Sequence, residues 1–198
     1  MSDIIAIAGS PSSPSRSSAL LTYIQQYLEQ KNISMDRITV RDLPTEDLIL
    51  GRYNSPAILS ANERVIQAKG VIIATPIYKT TYTGVLKTYL DLLPQASLAG
   101  KIVLPIATGG TLAHLLAIDY SLKPVLYALG SRHILQGVYI VDRQIRWQEG
   151  QAFQIDAEIE QRLQESLEEL AIAITSDIHQ AVLDPTQSKH HHSQPIAS

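Results

Sequence analysis

Unbroken apolar, β-branched runs alternate along this chain with stretches in which apolar residues return every three or four positions. An unbroken run belongs to a strand covered on both faces, and the three-to-four spacing to one face of a helix. Strands are expected at Ile4–Ala8 and at 33–40, 71–75, 102–107 and 134–141. Helices are expected at 17–30, 56–68, 84–93, 112–129 and 155–180. Five strands with intervening helices predict an α/β fold, a five-stranded parallel sheet in the order 2-1-3-4-5 with helices on both faces. Its ligand site lies at the carboxyl ends of the strands, by the switch between strands one and three.

Two segments depart from this regularity. In 112–129 the stripe Leu112, Leu115, Ile118, Leu122, Val125, Leu129 is helical, but Pro124 lies inside it. Proline cannot donate to the carbonyl of Tyr120, so a kink or one wide turn is expected there. The connection 42–55 carries Leu48, Ile49, Leu50 and Tyr53. It is expected to fold onto its own domain, with a second subunit as the alternative cover. In the last helix Ile159, Leu163, Leu167, Leu170 and Ile174 form a core stripe, with Trp147 and Phe153 anchoring the segment before it. Residues 1–183 read as one domain, and the polar tail 184–198, with Pro185 and Pro195, reads as disordered.

Composition narrows the chemistry. The 198 residues carry a net charge of −3, without the basic footprint of a nucleic-acid binder. No apolar run is long enough for a bilayer. The first strand begins at about Asp3, which leaves no room for a signal peptide, and a cytoplasmic location is expected. There is no cysteine, so redox chemistry would need a bound cofactor. No H-E-x-x-H motif is present, and no metal site is expected; His190-His191-His192 could bind a metal but read rather as part of a solvated tail.

Three strand-end loops hold the candidate chemistry. The first, Gly9-Ser10-Pro11-Ser12-Ser13-Pro14-Ser15-Arg16-Ser17-Ser18, opens a helix, whose free N–H groups and dipole favour an anion. Its hydroxyls and Arg16 can add hydrogen bonds. It lacks the glycine patterns of P-loop and dinucleotide-binding proteins, and suits a terminal phosphate monoester better than a pyrophosphate. The alternative is a Ser/Pro turn with Ser17 or Ser18 as N-cap. The second loop, residues 74–84, contains Pro76, Ile77, Tyr78, Lys79 and Tyr82; the two tyrosines can flank a planar ring. The third is Thr108-Gly109-Gly110-Thr111, where glycine permits close backbone approach. Together they describe a planar aromatic cofactor with a phosphate tail, such as FMN. His114 reads equally as a structural histidine or a neighbour of that site.

Gly9-Ser10-Pro11, Ser15-Arg16-Ser17-Ser18, Ala74-Thr75-Pro76-Ile77-Tyr78-Lys79, and the runs 82–94 and 104–116 resemble the NADPH-dependent FMN reductases. With 118–126 the likeness narrows to the reductases that serve alkanesulfonate monooxygenases. The resemblance implies a flavodoxin-like fold and reduction of FMN by NADPH, sometimes NADH. Reduced flavin is then released to a separate monooxygenase, so flavin behaves as a substrate. By the same resemblance Ser10, Ser15, Arg16, Ser17 and Ser18 would hold the phosphate. Pro76, Ile77, Tyr78 and Lys79 would line one edge of the ring, with Thr108, Gly109 and Gly110 at its other side. Tyr120 matches an extra tyrosine that makes a π-helical turn beside the subunit interface, and is expected at a tetramer interface where it tunes flavin exchange. The cofactors carry the hydride chemistry, so no catalytic acid or base is expected. The competing readings are a quinone or azo reductase that keeps its FMN, and a flavodoxin-like electron carrier. A carrier would be strongly acidic, and a charge of −3 gives it little support.

Overall fold

The computed structural model describes residues 2–146 and 153–176. Strand β1 (Ile4–Ala8) leads through a loop into helix α1 (Arg16–Glu29), and β2 (Met35–Thr39) comes next. Short α2 (Thr45–Ile49) and α3 (Pro56–Gln67) precede β3 (Gly70–Tyr78), which turns back into β4 (Thr81–Tyr82). Then come α4 (Gly84–Leu90), β5 (Ile102–Gly109), α5 (Lys123–Ala128), β6 (His133–Ile134) and β7 (Val138–Val141). A small hairpin of β8 (Ile145–Arg146) and β9 (Gln154–Ile155) leads to α6 (Ala157–Thr175).

The sheet runs β2-β1-β3-β5, with β6 and β7 both parallel to the outer edge of β5 and β4 antiparallel to β3. This is the doubly wound α/β order expected, with a seven-stranded count because the fifth strand is split and β4 is added. Alternation explains the unbroken apolar runs. Ile4, Ala6, Ile72, Ala74, Leu104 and Ile106 face α1 and α6. Ile5, Ile7, Val71, Ile73 and Val103 face α3, α4 and α5. Each buried isoleucine contributes roughly 1.5–3 kcal/mol of apolar transfer.

The split in the fifth strand is a one-residue bulge. Ile102 lies opposite His133, whereas Ile106 lies opposite Val138, so the register slips by one between the two pieces. The extra residue reverses the facing of the residues beyond it. Leu135 packs toward α1 and α6, and after the slip so do Val138 and Ile140. Tyr139 and Val141 turn instead to Ile77 and Ile118. Gly137 sits where a side chain would collide with Ile118 at 2.8 Å.

Other expectations need correction. Segment 112–129 is not one helix. It comprises a 3-10 turn, Leu112–His114, a π-helical turn, Ile118–Leu122, and α5. The Lys123 N–H donates to Ile118 O, five residues back, beside Pro124, which has no N–H to offer. Beyond the π-helical turn the face is shifted, so that Leu126 rather than Val125 is buried with Ile118 and Leu122; Leu112 and Leu115, in and just after the separate 3-10 turn, are exposed. In the connection 42–55, α2 buries Leu48 against its own domain and leaves Ile49, Leu50 and Tyr53 exposed. The last helix starts two residues later than expected, because Ile155 belongs to β9. Its stripe is core as expected, and Phe153 packs on Tyr23 with ring centroids 6.1 Å apart. Trp147, the expected helical residues 177–180, the tail 184–198 and His190-His191-His192 lie outside the described residues. No helix among the described residues is long and apolar enough to cross a membrane.

Candidate functional site

The loop after β1 is pinned from three directions. The Gly9 N–H donates to Ala74 O at 2.8 Å. The Thr83 hydroxyl donates to Gly9 O, and the Arg41 guanidinium donates to Ser12 O. The Ser12 N–H donates to Ser10 Oγ at 3.2 Å, leaving the Ser10 hydroxyl hydrogen free to donate elsewhere. Ser15, rather than Ser17 or Ser18, is the N-cap of α1, and its side chain does not cap. Its hydroxyl pairs with Ser17 Oγ at 2.9 Å instead. The first turn of α1 also contains no acidic residue. A helix start left uncapped by side chains retains free N–H groups and partial positive charge. Ser18 Oγ is buried with no partner among the described residues. The uncapped helix start and the free Ser10 hydroxyl suit an anionic group at this loop; the inward-turned Ser18 hydroxyl does not reach the cleft.

The second loop is a hairpin. Ile77 pairs with Tyr82 and Tyr78 with Thr81, around Lys79 and Thr80 at φ 50° and 72°. Two left-handed residues are what a two-residue hairpin turn requires. Paired positions share a face, so Ile77 and Tyr82 go inward while Tyr78 stays half exposed. Tyr82 therefore packs in the core rather than flanking a ligand. Thr83 caps α4 by accepting from the Leu86 N–H at 3.0 Å, so one hydroxyl ties this loop to the first. Thr81 Oγ1 and Ser121 Oγ hydrogen-bond, joining the hairpin to the π-helical turn.

The third loop is shaped from below. The Tyr139 hydroxyl donates to Thr111 O at 2.7 Å, and its ring lies directly under Gly109, where any Cβ would strike Tyr139 Oη. Burial pushes the Tyr139 phenol above its usual pKa, and the charge of Asp142 adds to that.

These loops enclose a cleft of about 460 Å³, within the usual size of small-molecule sites. Ser10, Ser15, Arg16, Pro76, Ile77, Tyr78, Thr108, Gly109 and Gly110 line it. Of the other candidates, the Ser17 side chain is buried, Ser18 is turned in, Lys79 is exposed at the hairpin tip, and none of the three lines the cleft. His114 is also absent from the lining. Tyr120 projects from the π-helical turn, 80% exposed, beside exposed Leu116. Ser12, Pro14 and Asp142 complete the lining and were missed from the sequence. Asp142 comes directly after β7 at a strand's carboxyl end, so the rule applied to the first, third and fourth strands marks it too. Its carboxylate pairs with Arg16 across the cleft at 3.9 Å. No cluster of metal-ligating side chains occurs among the described residues.

The model of the family described as NADPH-dependent FMN reductase matches residues 2–145. The chain is 46% identical over 172 residues to an FMN reductase (NADPH) of Pseudomonas putida, covering 86% of this chain and 87% of that one. It is 51% identical over 142 residues to an FMN reductase (NADPH) of Escherichia coli, covering 72% and 74%. Among solved structures it is similar to the apo form of an NADH:FMN oxidoreductase, with a TM-score of 0.78 and 37% identity over 87% of this chain and 90% of that one.

Proposed function

This chain belongs to the NADPH-dependent FMN reductase family; it is an oxidoreductase acting on FMN with NAD(P)H, and we propose that it releases the reduced FMN to a separate flavin-dependent monooxygenase, one acting on alkanesulfonates. FMN, when bound, supplies the redox chemistry, its N5 accepting a hydride from the nicotinamide. The chain's task is to hold the flavin, leave one ring face open and align the nicotinamide on it.

The observation that carries this reading is the cleft built by three loops at one sheet edge, with the uncapped start of α1 at one end and half-exposed Arg16 and Tyr78 at its rim. Ser10, Ser15 and Arg16 hold the phosphate through their side chains, and Ser17 and Ser18 through their backbone N–H groups. Pro76, Ile77 and Tyr78 support one edge of the ring, with Lys79 outside them at the mouth. Thr108, Gly109 and Gly110 border the other side. No lining side chain is needed as a general acid or base. An open rim favours a flavin that comes and goes over one that stays. The enzyme works in the cytoplasm, where NADPH is available.

Tyr120, Leu112, Leu116 and Tyr127 are exposed apolar side chains on and beside the π-helical turn. They form a contact between copies of this chain, in a tetramer, and the Thr81–Ser121 hydrogen bond carries the state of that contact to the Tyr78 hairpin. Tyr120→Ala should reduce oligomer size in sedimentation and change flavin retention. Unchanged size, affinity and rate would remove this role.

The deciding assay is NADPH oxidation in air, with and without a large excess of FMN. Oxidation that scales with added FMN supports flavin as substrate. Activity indifferent to FMN would indicate a quinone or azo reductase with retained flavin, and no oxidation an electron carrier.

A further inference from the structure

Of the residues lining the cleft, Arg16 and Asp142 are the two that carry charge, and they face each other at 3.9 Å. They come from distant parts of the chain. Arg16 opens α1 after the first strand, and Asp142 directly follows β7. The rest of the anion-favouring end is arranged for a negative group: an uncapped helix start, no acid in the first turn of α1, and hydroxyls of Ser10 and Ser15. A carboxylate at that end works against all of it. It neutralises the one guanidinium in the lining and repels a phosphate directly.

Among the described residues no hydrogen bond of the Asp142 side chain accounts for its place in the cleft, and its carboxylate only adds an acid to the first turn of the short helix 142–144. The hydrogen bond that shapes its turn is made by Gln144, whose Oε1 accepts from the Val141 N–H at 2.9 Å. Among the described residues its carboxylate is paired with Arg16 alone. Its side chain is 39% exposed, and that of Arg16 49%, so the pair is weak enough to open and water can replace either partner.

We propose that Asp142 competes with the flavin phosphate for Arg16, and so sets the affinity for FMN low enough for reduced flavin to leave. The Arg16 guanidinium lies 3.9 Å from the Asp142 carboxylate. Phosphate entry requires that pair to open and leaves the carboxylate beside a dianion, and both effects are returned when the flavin departs. Asp142 is thus an affinity-setting residue that acts through Arg16, not a catalytic one. This inference rests on the reading of flavin as an exchanging substrate.

The test compares FMN with riboflavin, which has the same ring without the phosphate. Dissociation constants are measured by flavin fluorescence on the full chain, for the wild type, Asp142→Asn and Asp142→Glu, at low and high ionic strength. Asp142→Asn should tighten FMN about fivefold at low salt, as expected for loss of an exposed pairing and a like-charge contact, and leave riboflavin within about twofold of wild type. The gain should shrink as salt screens it. Asp142→Glu, which keeps the charge, should stay near wild type. In an Arg16→Gln background the part of the gain due to competition for Arg16 should disappear, leaving only the direct repulsion; an undiminished gain overturns the proposal. An unchanged or weaker FMN affinity in Asp142→Asn, or equal tightening of FMN and riboflavin, overturns the proposal. FMN-dependent NADPH oxidation by the wild type is judged separately: its loss overturns the exchanging-substrate reading, whereas an intact wild-type rate with no phosphate-specific effect overturns only the role of Asp142.

Discussion

Gly109→Ala tests whether the third loop is held in shape by the tyrosine beneath it. A Cβ at position 109 would overlap Tyr139 Oη and lie 3.2 Å from Tyr139 Cζ. The tyrosine cannot simply swing away. It is 2% exposed on β7, and its hydroxyl is committed to Thr111 O at 2.7 Å. Relieving the clash means shifting the loop or breaking that hydrogen bond. Overpacking a filled site costs about 1–3 kcal/mol, and a buried hydrogen bond about 1 kcal/mol. Gly109→Ala should therefore lose about 3 kcal/mol, read as a fall in the urea midpoint at unchanged slope. For a chain of this length that is a fall in Tm of about 6–12 °C. Because Gly109 lines the cleft, the KM for FMN should also rise. Tyr139→Phe isolates the cause. Alone it leaves Thr111 O unpaired and costs about 1 kcal/mol. In the Gly109→Ala background it removes the clashing atom and should be neutral or stabilising, giving a coupling energy of about 1–2 kcal/mol. If Gly109→Ala melts like the wild type, or if Tyr139→Phe costs the same in both backgrounds, the steric argument is wrong.

Other contacts give three further expected outcomes. Thr83→Val removes both the α4 cap and the bond to Gly9 O, and should cost about 2 kcal/mol in denaturant melts and weaken FMN, while Thr83→Ser keeps both. Thr80→Gly relieves a β-branched residue at φ 72° and should raise stability by about 1 kcal/mol; a lower Tm would count against a strained turn. The Asp3 carboxyl is held below its usual pKa, first by the hydrogen bond from Ser34 and then, against the opposing effect of burial, by the Ser34 N–H and Lys69. A carboxyl depressed in the folded state stabilises fully above its unfolded pKa and loses that contribution as pH falls through the folded value. Asp3→Asn should thus lower stability at neutral pH and flatten its decline below about pH 4, and parallel pH curves for the two proteins would contradict this.

The legibility of this chain tracks its periodicity. Ile4–Ala8 is read correctly to the residue because both faces are buried and nothing interrupts the run. The disturbance near Tyr120 is legible from Pro124, since a missing N–H is written in the residue type. What the missing bond does to the face is not: beyond the π-helical turn Leu126 replaces Val125 in the core, and the break of 112–115 into a separate 3-10 turn leaves Leu112 and Leu115 outside it. Tyr82 misleads because a hairpin reverses the chain and pairs it with inward-facing Ile77, a cross-strand relation that local pattern does not contain. Nine of the twelve cleft-lining residues stand among the sequence candidates. Asp142 escapes because a lone carboxylate after an apolar run looks like an ordinary solvated end. Its significance comes from Arg16, 126 positions away in the chain.

The spare residue in the fifth strand has an evolutionary reading. Loss of a single residue between Leu135 and Val138 would barely alter composition, charge or hydropathy, yet it would exchange inside for outside along β7. Tyr139 would turn toward α6 and leave Thr111 unsupported, while Val138 and Ile140 would face the π-helical turn. Because the pleat repeats every two residues, two residues gained or lost would restore the facing that one destroys. In descent, then, this connection should accept changes of letter more readily than changes of length, and changes of length in pairs.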